Sequence, residues 1–471
     1  MNSTKNLLAA TLLTLLPVCG ASAYKTPGNG TTYTLQRLSE DGTSGVSKHH
    51  IEGAETAFLL SQNDTIAAGD HFVMDDGVTV LFDDQVTLVI EGEADFRLEK
   101  GSMFDSAFDG SETDPLSGQH VEATPCGIVI DNEQSQTAFA RCTFYYVGLR
   151  CTTSKGMTLD GCTFYYHNGA LGQAALTLGP DEAPFSIRNC HFEGCTKAAI
   201  AGAANFRNPL LIEDCTFENN STLNRNVPQL NLTVADSVVI RRCTVIGNPD
   251  LNMVGGIGIS NFIGATDVHA LVSNCTVADN RYGIALMGPS DIRIENNKIL
   301  DNRYETNANN GGSGINLYDP YQMATAVVAG NTIEGNLWGI TIIGCKDVNL
   351  GQPTSSAIQS PGGNVFKDNG NNGMLYDVYN NSTLTVYAQN NTWNVSEQTP
   401  EQIESVIFHK VDDKKLGEVI FWPAADDASV DFQLSDKQAN RRRTFNLNGQ
   451  LLDNRSLSRG IIIEDGRKVV R

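Results

Sequence analysis

Basic residues are in short supply. Lys and Arg number 33 against 54 Asp and Glu, a formal net charge of -21. That balance repels polyanions and lacks the basic footprint of a nucleic-acid-binding chain, so no nucleic-acid partner is expected. An anionic polysaccharide could be held only through a local basic patch or bound cations. Aromatic residues are 7% and charged residues 18%, with 15 prolines beside 44 glycines. A helical bundle would carry more Leu, Lys and Glu, whereas this composition fits a turn-rich β protein. Past the amino terminus no apolar run is long enough to span a bilayer. Close C-x-x-C pairs are missing among the 11 cysteines, so no metal site is expected from them.

What is present begins with an export signal. Lys5 precedes an apolar run from Leu7 to Val18 and the small residues Ala21-Ser22-Ala23, the pattern of a cleaved secretory signal peptide. Cleavage after Ala23 starts the mature chain at Tyr24. Leu16-Pro17-Val18-Cys19 offers a rival lipoprotein reading, in which Cys19 is the lipidated residue. Either way the chain is exported, to the medium or the outer cell surface.

The length of 471 residues allows one large or two ordinary domains, and self-similarity decides between them. One phrase returns through the chain: Cys142-Thr143-Phe144, Cys162-Thr163-Phe164, Cys190-His191-Phe192, Cys215-Thr216-Phe217, Cys243-Thr244-Val245 and Cys275-Thr276-Val277. Asn then takes the place of Cys at Asn297, Asn331, Asn364 and Asn391. The spacings, about 20 to 34 residues, are those of a solenoid. Five residues on runs a second column: Val147, His167, Cys195, Asn220, Asn248, Asn280, Asn302, Asn336 and Asn369. Between the columns lie short alternating strands, with Asn and Gly at the turns. No helical stretch separates them, which excludes a βαβ sheet, and a β-propeller would need longer antiparallel strands and larger repeats. The expected fold is all-β, a right-handed single-stranded parallel β-helix. Stacked coils would place equivalent residues about 4.8 Å apart, aliphatic side chains inside and Asn amides bridging the turns.

The first coils read as Val78 to Leu81 and Val86 to Ile90. Trp393 and a short helix at Pro400-Glu401-Gln402-Ile403-Glu404 are expected to close the far end. These repeats, with Asn391-Thr392-Trp393, Ile407-Phe408-His409, Gly417 to Phe421 and Pro423, resemble the bacterial β-helix repeat proteins of the pectate-lyase-like superfamily. The tail carries Phe445 to Gln450, with the turn dipeptide Asn448-Gly449, and Arg459 to Arg471, with Asp465-Gly466. It is similar to the carboxy-terminal sorting signals of Bacteroidetes, although only the last part of such a domain is evident. The expected organisation is a signal peptide over 1–23, an N-terminal segment over 24–54, the β-helix over 55–425, and a linker with a sorting-type tail over 426–471. The signal peptide and tail imply export machinery as partners.

Function is far less legible. The repeated cysteines interchange with Asn at one inward position, so they read as stacked, reduced thiols rather than disulfides. His167 reads as a hydrogen-bonding rung of the turn column, and His191 as an outward replacement for Thr. Tyr145 and Tyr165, three residues after their anchors, should point outward on neighbouring coils and offer an aromatic platform to a sugar. Tyr146 and Tyr166 read as bend residues. An insertion from Tyr304 to Tyr321 brings Tyr318 and Asp319 as further ligand-binding candidates. Asp75-Asp76 and Asp83-Asp84 read as turn residues. The superfamily resemblance implies lyases that use a Lys or Arg base with Ca²⁺, or hydrolases with paired carboxylates. Neither catalytic set is recognisable here. Two classes stay open: a surface protein binding a polysaccharide or cell-surface glycan, and a polysaccharide lyase or glycoside hydrolase.

Overall fold

A computed structural model describes residues 24–425, with short breaks of which 108–125 is the longest, and three strands between 444 and 470. The signal peptide lies outside the described residues. The main body is a parallel β-helix. Its first sheet has 14 strands, running rung by rung from Tyr24–Lys25 to Ile407–Phe408. A second sheet stacks strands such as Met157–Asp160, Phe185–Arg188 and Leu210–Glu213. A third stacks the anchor strands Thr163–Tyr165, His191–Glu193 and Thr216–Glu218. In the early coils Glu93–Ser106 and Thr137–Tyr145 run unbroken across the corner between the second and third sheets.

Those corners explain the repeat. The residue before each anchor is left-handed: Asn189 (φ 51°), Asp214 (φ 55°), Arg242 (φ 53°), Asn274 (φ 54°) and Asn296 (φ 57°), with Gly330 and Gly363 at later coils. A second left-handed residue precedes the other column, at Tyr146, Tyr166, Asn219, Asp279, Asp301 and Asp368. One such residue redirects the chain, and Asn, Asp and Gly tolerate that conformation best. The next side chain then points into the core, as the buried Cys142 to Cys275 and Asn297 to Asn391 do.

The inward Asn residues satisfy the backbone that the corners leave unpaired. The Asn331 Oδ1 accepts from both the backbone N–H and the Nδ2 of Asn297, each at 2.9 Å. Asn364 serves Asn331 the same way, and Asn391 serves Asn364. In the second column Asn280, Asn302, Asn336 and Asn369 repeat the motif. Asn248 departs from the expected pattern: it is only half-buried and bonds Asn219 at the surface. Gln229 fills the gap, accepting from Asn220 at 3.0 Å and donating to Asn280 at 3.0 Å. Its longer side chain reaches the rung from the bend that leads into the strand Leu230–Thr233, which periodicity could not reveal.

Between the columns the core is stacked by type. Phe104, Phe144, Phe164, Phe192 and Phe217 form one continuous pile with centroids 4.4–5.2 Å apart. Val245, Val277, Ile299 and Ile333 continue it. The ten described cysteines are buried, and none of them is in a disulfide.

Both ends are covered. Tyr24–Lys25 pairs in parallel with Asp64–Thr65, and Thr32–Tyr33 with His71–Phe72, so the coils begin ahead of residue 55. The helix Leu35–Glu40, capped by Thr34, presses Leu35 and Leu38 onto the first coil's interior. The expected helix Pro400–Glu404 buries Ile403, and Trp393 stacks on Phe366 at 5.1 Å. In the tail, Ile461–Glu464 and Arg467–Val470 pair antiparallel with Glu464 opposite Arg467, and Thr444–Phe445 adds a third strand. The Asn448-Gly449 turn lies outside the described residues.

Two measurements check this account. Asn302→Ala removes the acceptor of the Asn280 backbone N–H, one acceptor of its Nδ2 and the donor to the Val277 carbonyl, and should lower stability by about 2–5 kcal/mol. Asn297→Cys copies the rung next to it and should cost less than half as much in the same denaturation series. Maleimide should leave the ten cysteines unlabelled in the native protein and label all ten after denaturation without reductant. Recovery of few thiols would reveal disulfides.

Candidate functional site

The third sheet alternates inward and outward residues, so two outward columns run along it. One contains Thr143, Thr163, His191, Thr216 and Thr244. The other contains Asp105, Tyr145, Tyr165, Glu193 and Glu218, in register from rung to rung. The expected outward placement of Tyr145 and Tyr165 holds, and their rings stack with centroids 4.9 Å apart and planes at 27°. Stacking covers one face of each ring, so the pair presents edges and hydroxyls to solvent rather than an open double platform. Tyr146 and Tyr166 occupy the left-handed bends (φ 59° and 52°).

The strip is polar and mostly acidic. Burial pushes the Asp105 carboxyl up to about 6. Burial also raises the Tyr145 phenol, assisted by Tyr165, Tyr166 and the nearby carboxylates of Asp105 and Glu193. His191 stands edge-on to Tyr165 at 5.7 Å, and its Nε2 lies 3.1 Å from Glu193 Oε2. Ligand atoms of His191, Glu193 and Glu218 all fall within 4.8 Å of one another. One imidazole and two carboxylates at that separation can hold a metal ion.

The remaining candidates do not join this strip. Tyr318 is 40% exposed but belongs to the first sheet, in register between Met287 and Ile343. Asp319 is fully buried, and its carboxylate accepts from the backbone N–H groups of Tyr321, Met323 and Ala324. It shapes the turn and is not presented to a ligand. Asp75 and Asp76 accept from backbone amides of neighbouring segments, a structural use. A shallow groove of about 310 Å³ on the second sheet is lined by His269, Asp291 and Arg293. Its charges are satisfied internally, His269 by Asp291 and Arg293 by Glu295.

Three members of the strip, Asp105, Glu193 and Glu218, were missed in the sequence. The two glutamates sit three residues after Cys190 and Cys215, the same offset that selects the tyrosines, so the signal was available. Asp105 gave none, because Ser102 replaces its anchor cysteine.

His167 corrects a further expectation. It occupies the turn column, but neither ring nitrogen has a hydrogen-bond partner among the described residues. Burial, with Lys197 nearby, holds its pKa down to about 3. It is therefore a neutral filler beside Gly148 and Leu171, not a hydrogen-bonding rung or a proton shuttle.

A family model described as NosD, periplasmic copper-binding protein, matches residues 87–340. The chain belongs to the NosD family. The NosD match spans the coils carrying the strip, from Asp105 through Glu218, and makes this an exported protein. Among solved structures, a point mutant of the periplasmic alginate epimerase AlgG is 11% identical with a TM-score of 0.50, over 84% of this chain and 83% of that one. A double mutant of the same epimerase is 10% identical, at a TM-score of 0.49 over 84% of each chain. At such identities the likeness is one of fold alone. No curated protein sequence matches.

His167 yields a prediction. Its folded pKa is depressed, so between about pH 6.5 and 3 the unfolded chain takes up a proton that the native imidazole refuses. Stability present above pH 6.5 is lost as the pH falls through that window. His167→Asn, which borrows the residue of later rungs, should flatten this acid limb in denaturation curves recorded at stepped pH.

Proposed function

We propose that the chain is an exported β-helix binding protein whose ligand is a neutral glycan lying along the outward strip of the third sheet. The observation that carries this reading is the register: Asp105, Tyr145, Tyr165, Glu193 and Glu218 stand on consecutive rungs. The rung spacing, about 4.8 Å, is comparable to the length of one pyranose residue. Phenol, carboxyl and imidazole groups repeated at that pitch offer each sugar unit a hydrogen-bonding partner. Because the tyrosine faces largely cover each other, recognition rests on hydroxyls and ring edges more than on stacking. The acidic strip and the net charge of -21 favour neutral polymers over uronates.

A second reading, glycan hydrolysis, draws on Glu193 and Glu218. Their carboxylate oxygens lie within 4.8 Å, close to the ~5 Å separation of a retaining glycosidase pair. Membership of a family described as copper-binding also raises the question of which residues suit copper. The cysteines are all buried, out of reach of an arriving ion, and burial pushes the Cys195 and Cys345 thiols up to about 12, whereas thiolates are the ligating form. The outward imidazole and carboxylates suit copper(II) better.

We also read 24–54 as an N-terminal segment of the mature chain that supplies the first strands of the binding solenoid, 55–425 as the rest of that solenoid and 426–471 as a sorting-type tail. The hairpin from Ile461 to Val470 supports the tail assignment.

Affinity electrophoresis through gels containing neutral or acidic polysaccharides tests the main reading. The intact protein should be retarded by a neutral glycan, and Tyr145→Ala with Tyr165→Ala should weaken that retention at least tenfold while the β-rich circular dichroism stays unchanged. Unaltered retention in the double variant removes the strip from consideration. Release of new reducing ends, abolished by Glu218→Gln, would establish hydrolysis in its place.

A further inference from the structure

We propose that His191, Glu193 and Glu218 form a site for one divalent transition-metal ion, copper(II) or zinc(II), on the outward face of the third sheet. His191 and Glu193 are two residues apart on a single strand, so both project to the same side. Glu218 is directly across the ladder from Glu193. The donor atoms already lie within 4.8 Å of one another, and the His191 and Glu193 side chains are 29% and 37% exposed. An ion arriving from solvent can reach them, unlike the buried thiols.

Electrostatics points the same way. Several carboxylates on these sheets are met by cations. Glu334 pairs with Lys367 in the same outward column, and the buried Glu213 is held by Arg241 and Arg242. Glu193 and Glu218 instead stand abreast, and among the described residues no Lys or Arg pairs with either. Like charges directly opposite on a ladder are destabilising. A dication between them turns that repulsion into attraction and uses the imidazole as its third donor.

The donor set selects the ion. Ca²⁺ takes six to eight oxygens and Mg²⁺ a near-octahedral oxygen shell, whereas one imidazole with two carboxylates suits copper(II) and zinc(II), copper binding more tightly. Three protein donors leave positions open for water or an outside ligand. The ladder holds the strands in register before any ion arrives, so little ordering remains to oppose binding. This site does not depend on the glycan reading, and its test contains no glycan.

The full exported chain, stripped of metal, is titrated with Cu²⁺, Zn²⁺ and Ca²⁺ by calorimetry, with electron paramagnetic resonance of the copper form. One equivalent of Cu²⁺ should bind more tightly than Zn²⁺, with no measurable Ca²⁺ binding, and metal should raise the melting temperature. His191→Asn should weaken Cu²⁺ binding at least tenfold and remove the imidazole nitrogen hyperfine signal. Glu193→Gln with Glu218→Gln should weaken it similarly, while the metal-free double variant melts no lower than the parent because the carboxylate repulsion is gone. His50→Asn, in the exposed His49-His50 pair, should change nothing. Absence of Cu²⁺ and Zn²⁺ binding, binding that survives both sets of substitutions, or loss seen only in His50→Asn would overturn the proposal.

Discussion

The repeated coils from Cys142 to Asn391 depend on turning corners with a left-handed residue and pointing the next side chain inward. For a non-glycine residue that backbone state costs roughly 1–2 kcal/mol. Arg141, Tyr146, Tyr166 and Arg242 all adopt it despite lacking the usual tolerance of Asn, Asp or Gly. What offsets the cost is the side chain that follows. An inward Asn joins its own coil to the next with paired hydrogen bonds, and an inward Cys fills the same space with a weaker donor. Cys275 sits at the junction, receiving the Cys243 amide on its sulfur at 3.4 Å and giving its own amide to Asn297 at 2.9 Å. The two residue types are thus alternative solutions to one geometric demand.

Rigidity at the corners has a consequence on the outside. With the register held, residues three positions after the anchors are delivered to one column whatever they are. That column changes along the molecule from Asp105 and the tyrosines, through the glutamates, to Ile246, Ala278 and Leu300, and then to Glu334 and Lys367. Its first part gathers phenols and carboxylates that, among the described residues, meet no Lys or Arg, whereas Glu334 and Lys367 pair with each other. The scaffold is uniform while its surface chemistry is local, which is why NosD membership and a shared β-helix leave the ligand to be argued from individual side chains.

Buried polar groups mark where the pattern is under strain. His167 takes a rung meant for an amide, and its ring goes without hydrogen bonds among the described residues, while Gln229 supplies from a neighbouring bend the amide that Asn248 fails to provide. Both lie along the same turn column. The column evidently tolerates one unsatisfied imidazole because the adjoining rungs are well packed, His167 itself being 1% exposed.

The sequence by itself determined the coil. The spacing of Cys142 through Asn391, the Asn column and the alternating strands each report a contact between neighbours in the ladder, and such contacts recur at a period that can be read along the chain. It also determined that Tyr145 and Tyr165 face outward, because that follows from an offset within one strand. Tertiary structure alone decided the rest. One face of each tyrosine is covered because the rings lie one rung apart and stack. Asp319 is buried because its carboxylate gathers three backbone amides in its own turn. Glu193, Glu218 and His191 become a cluster only when separate coils are laid side by side at a common height. Periodicity records which residues are equivalent, whereas the orientation of a side chain and the company it keeps are decided by packing, and packing carries no period.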